Sequence, residues 1–86
     1  MKRFWFEFEI SSLESLPFGI RTGCGVTAFN EQEAISLIES KIFKSKSMPR
    51  IIKIVEDIDI SQLDSKHVLL NMSSPANKGI WFPTGY

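Results

Sequence analysis

Phe4, Phe6, Phe8 and Ile10 alternate with Trp5, Glu7 and Glu9 at the start of the chain. A period of two is the pattern of a strand with one face on a core and the other turned outward. Through residues 11–18 that beat is broken by Ser, Glu and Pro, with Gly19 next, so the stretch reads as a connection. Residues 20–29 predict a second strand. Ile20, Thr22, Cys24, Val26 and Ala28 fall on one face, and Arg21, Gly23, Gly25, Thr27 and Phe29 on the other.

The period then changes. Ala34, Ile35, Ile38 and Ile42 recur at helical spacing, with Glu31, Gln32, Glu39 and Lys41 mostly away from the stripe. Asn30 is a good N-cap, and Glu33 stands three residues on, a capping-box arrangement with Asn in place of Ser or Thr. Acidic residues in the first turn and Lys41, Lys44 and Lys46 near the end suit the helix dipole, and Pro49 stops continuation. Residues 51–60 predict a third strand, with Ile52, Ile54, Ile58 and Ile60 on one face and Glu56 interrupting them. Beyond it come a turn at residues 61–66, a short strand at 67–72 and a loop at 73–78. Residues 80–82 then read as a final edge strand, because Pro83 is tolerated only at a strand end or edge.

These elements place the chain in the α+β class: a small antiparallel or mixed sheet of four to five strands, in the order β-β-α-β-β, with one main helix packed on one face. In element order alone, this superficially resembles compact ferredoxin-like or split β-α-β domains, without the second long helix of the former. The chain of 86 residues reads as one domain, near the lower end of what buries a useful core without disulfides or metals. Ten basic residues balance ten acidic ones, so no strong net field favours nucleic acid or an anionic membrane. One cysteine forms no internal disulfide, and no apolar run approaches the roughly 18 residues of a membrane span. A cytoplasmic, reducing location is expected.

Candidate chemistry is sparse. Gly23-Cys24-Gly25-Val26-Thr27-Ala28 matches a G-x-G-x-x-A string, but a dinucleotide site needs those glycines at a helix start, not inside a strand. Glycines within a strand instead leave backbone bare for a large side chain to cover, and Trp5 or the terminal aromatics are the natural candidates. Asp57 and Asp59 share a strand face, yet the further ligands of a metal site are missing at any recognisable spacing. No cofactor and no metal is expected. Glu56 needs either an outward-turning bulge or a cation such as Arg21, Arg50 or Lys78.

What stands out is apolar surface. Trp81, Phe82 and Tyr86 crowd the terminal segment, where polar residues are usual, and Trp5 stands on the outer face of the first strand. The expectation is therefore a protein-interaction module without catalytic activity of its own, binding a protein partner or itself through a sheet face or edge. Its expected contact residues are Trp5, Arg21, Trp81, Phe82 and Tyr86. Self-docking of the terminal aromatics is the plainer reading of that segment. The alternative is a small-molecule or enzymatic pocket near Cys24, Glu56 and His67.

Overall fold

A computed structural model describes residues 1–9, 20, 22–44, 48–63, 65–66, 68–84 and 86. Four strands form the sheet: β1 (Lys2–Phe8), β2 (Cys24–Ala28), β3 (Ile51–Glu56) and β4 (Gly79–Phe82). Among the described residues one α-helix, α1 (Glu31–Ile38), lies between β2 and β3 and runs on into a π-helical turn at Glu39–Phe43. Two single 3-10 turns, Ile60–Gln62 and Leu69–Asn71, separate β3 from β4. The sheet order is β3-β1-β2-β4 and every neighbouring pair is antiparallel. Because β2 and β3 both run against β1, they are parallel to each other, and the chain passes between them through α1 in a split β-α-β. The α+β class and the single main helix agree with the sequence pattern.

The alternation in β1 divides two cores. Phe4, Phe6 and Phe8 join Cys24, Val26 and Ala28 of β2, Ile80 of β4, and Ala34, Ile38, Ile42 and Phe43 of the helical segment. Phe8 meets Phe43 edge-on at 5.9 Å between ring centroids. The helix starts where its cap dictates. Asn30 is extended, and its Oδ1 accepts from the Glu33 amide at 2.8 Å. The Glu33 carboxylate returns the bond one residue earlier than a standard capping box, accepting from the Phe29 amide at 2.9 Å. Lys78 reaches this knot from the loop before β4, 2.9 Å from Glu33 Oε2 and 5.0 Å above the Phe29 ring. Lys78 and the Phe29 amide hold the Glu33 carboxyl below the usual carboxylate range.

The other face of the sheet is not wet. Trp5, Val68, Trp81 and Phe82 form a second buried cluster, backed by Val55, Ile58, Ile60, Leu63 and Met72. The Trp5 and Trp81 rings stack at 6.0 Å, and Phe82 lies 5.8 Å from Trp5. Two consecutive aromatics reach this one face because the β2–β4 register slips between Gly25 and Val26. Gly25 pairs with Phe82 and Val26 with Ile80, which leaves Trp81 as an extra residue. The glycines then do what their bare backbone allows. A Cβ on Gly25 would collide with the Trp81 ring, and one on Gly23, whose φ is +141°, would meet Trp5.

Three sequence expectations shift. The third strand ends at Glu56 rather than running to residue 60, since Asp57 takes a left-handed φ of +56° and turns the chain over the second face. Ile58 and Ile60 thus leave the face they were assigned with Ile52 and Ile54 and enter the second core. Of the short strand expected at residues 67–72, the described part forms a 3-10 turn, Leu69–Asn71. The second strand is shorter than expected, Cys24–Ala28, with Ile20 buried in a turn before it.

Candidate functional site

The residues expected to make contacts with a partner divide sharply. Trp5 and Trp81 retain 4% and 1% exposure and Phe82 is equally enclosed, all within the chain's own second core. Trp5 Nε1 donates to Glu7 Oε2 at 3.0 Å, while Trp81 Nε1 is buried with no hydrogen-bond partner among the described residues. Tyr86 remains 37% exposed. Arg21 lies outside the described residues. The terminal aromatics therefore pack in cis up to Phe82, and only Tyr86 among the described contact candidates offers a substantial free surface.

The expected pocket residues are not gathered. Cys24 is fully buried in the first core, where burial pushes its thiol well above the ordinary range, so it sits there as a neutral apolar group. Glu56 is exposed and opposite Phe4, whereas Cys24 is opposite Phe6 on the far side of β1. His67 lies outside the described residues. Glu56 finds its cation in Lys2, which none of the sequence candidates named, and the ion pair raises the Lys2 pKa. That partner was invisible beforehand because it depends on which strand lies beside β1 and in what register. Among the described residues no group of three or more His, Cys, Asp or Glu is placed to hold a metal ion, and no helix is long and apolar enough to cross a membrane.

Among the described residues, Met1, Phe29, Leu70 and Tyr86 are exposed singly, whereas the edge strand β3 exposes two large apolar side chains close together. Among the described residues it pairs with β1 alone, and its register slips between Glu7 and Phe8: Glu7 faces Lys53 and Phe8 faces Ile51, leaving Ile52 extra. Ile52 is 60% exposed and Ile54, opposite Phe6, is 37% exposed. Ile54 shares the helix-bearing face with Phe6, and neither isoleucine is among the residues packed on the first core, where α1 makes its main sheet contacts with β2 and β4. Charge differs along this edge, with exposed Arg50 just before the strand and Lys53 within it, and with exposed Glu56, paired with Lys2, at its end. The opposite edge is different. Along β4 the Trp81 carbonyl already accepts from the Ser73 amide at 2.7 Å, and Pro83, which has no amide hydrogen, follows the strand. The sequence pattern puts Ile52 and Ile54 on one face with Ile58 and Ile60, interrupted by Glu56, and assigns them no contact role. The signal was present in the isoleucine-rich run, but not which end of it the second core would claim.

Comparison with known proteins gives no family model, no curated relative and no solved structure that matches the chain significantly.

Proposed function

We propose that this chain is a small interaction module whose contact surface is the free edge of β3, paired antiparallel with β3 of a second copy. The observation that carries the reading is the pair of exposed isoleucines, Ile52 and Ile54, on a strand that has a sheet neighbour on one side only among the described residues. Unpaired edge strands recruit other strands through their free backbone groups, and apolar side chains on the edge strengthen that tendency. A second copy suits the charges. Antiparallel pairing sets the Arg50–Lys53 end of one edge against Glu56 at the end of the other. The closed β4 edge, with Ser73 and Pro83, favours a pair that stops at two chains over an extending array.

One short strand is a small interface, so the association belongs to the weak class, in the micromolar range or above. Sedimentation equilibrium over a wide concentration range tests it, on the natural chain and on Ile54→Lys and Ile52→Lys. The expected result is a mass that rises from one chain to two with concentration, held at one chain in both variants with thermal unfolding unchanged. A single-chain mass at every concentration contradicts the proposal, and so does a pair that survives both substitutions.

A further inference from the structure

Where the second core ends, the sheet is left uncovered by a cleft of about 380 Å³ lined by Met1, Arg3, Thr27, Asp57, Ile58, Pro75 and Ala76. Its floor is the end of β1 and β2, where Arg3 and Thr27 are paired residues of the ladder. One wall is the chain leaving β3 at Asp57 and Ile58, and the other is the turn at Pro75 and Ala76. Both walls are pinned to the floor. The Ile58 amide donates to the Arg3 carbonyl at 3.1 Å, and the hydroxyl of buried Thr27 donates to the Pro75 carbonyl at 2.7 Å. The cleft is thus preformed, which removes part of the ordering cost that a ligand otherwise meets.

Its chemistry is two-signed. Arg3 supplies a guanidinium and Asp57 a carboxylate, and neither belongs to the ion pairs of the described residues, which are Lys2–Glu56 and Lys78–Glu33. Lys2, next along β1, is hydrogen-bonded to Glu56 and is also within electrostatic reach of Asp57. Met1, Ile58, Pro75 and Ala76 complete the lining. The volume lies at the small end of the range for small-molecule sites, about 300–1,000 Å³. A guanidinium favours bidentate contact with a carboxylate, and a carboxylate favours an ammonium group. We infer that this cleft binds a small zwitterion of amino-acid or dipeptide size, its carboxylate on Arg3, its ammonium on Asp57 and its aliphatic part against Ile58 and Pro75. The inference is independent of β3 pairing, since it uses a different face and a different readout.

The test is a titration of the isotopically labelled natural chain, followed by amide and methyl NMR shifts. The probes are leucine, glycyl-leucine, N-acetyl-leucine and leucinamide. Saturable shifts confined to Met1, Arg3, Thr27, Ile58 and Ala76 are expected with one or both zwitterions. Affinity should fall roughly tenfold with each singly charged analogue, the loss of one charge-assisted contact. Arg3→Gln and Asp57→Asn should weaken zwitterion binding by a similar factor while leaving unfolding unchanged, since both side chains are exposed and Asn tolerates a left-handed φ. If neither zwitterion gives saturable shifts at these residues, or if all four probes bind alike, the inference is overturned. Should a variant lose its fold, the analogue series on the natural chain still decides.

Discussion

At the scale of single residues, the two strand glycines and the lone cysteine explain most of what the sequence made legible. Gly25 is in contact with the Trp81 ring, so any side chain there must displace the largest buried group of the second core. Gly25→Ala should therefore destabilise the fold by about 1–3 kcal/mol, the usual cost of overpacking, which a chemical denaturation curve measures directly. The need for an aromatic over bare backbone was readable from two glycines in a strand beside an aromatic-rich terminus. Which glycine lies under which tryptophan was not, because a register slip decides it. Cys24 gives a pH prediction with a defined sign. Its folded thiol ionises only well above the unfolded value of 9.0, so the unfolded state loses its proton first. Stability from this group is complete below that pH and is lost above it, by about 1.4 kcal/mol per pH unit. Cys24→Ala lacks the effect, and the stability gap between the two proteins should narrow from about pH 8 to pH 10 in urea titrations. A constant gap would contradict the burial. Thiol labelling should likewise wait for unfolding.

Among the elements, β4 and the chain leaving β3 separate what pattern reveals from what it hides. Pro83 marks residues 80–82 as an edge strand in the sequence, and β4, Gly79–Phe82, does lie at the sheet edge. Trp81 and Tyr86, five residues apart in one terminal segment, nevertheless have opposite fates: one is buried and the other is partly open. Trp81→Ala should cost about 3–5 kcal/mol, the range for deleting a large buried aromatic. Tyr86→Ala should stay within about 0.5 kcal/mol, as surface changes do. Equal losses at both positions would contradict this assignment of the terminal segment. The end of β3 was not legible. Asp57 adopts its left-handed φ in the middle of an isoleucine-rich run, and only the resulting turn lets Ile58 and Ile60 cross to the second core. A strand pattern carries no mark of that crossing, because apolar residues are wanted on both sides of it.

For the whole molecule, the deciding feature is that both faces of a four-stranded sheet are covered, one by α1 and one by the chain between β3 and β4. A one-sided sheet would have left Trp5 and the glycine strip as the docking face. With that face filled by Trp81 and Phe82, the exposed apolar character of the sheet moves to the β3 edge, at Ile52 and Ile54. Sequence alone gave the class, the helix and the aromatic excess. It did not show this redistribution, which depends on where the residues after β3 lie. Amide hydrogen exchange, followed as a function of protein concentration, tests the account most directly. Protection at Trp81 and Phe82 should be high and independent of concentration, while protection across Ile52–Glu56 should rise as the chains associate. Concentration-independent exchange in β3, or protection of Trp81 and Phe82 that appears only on association, would contradict it.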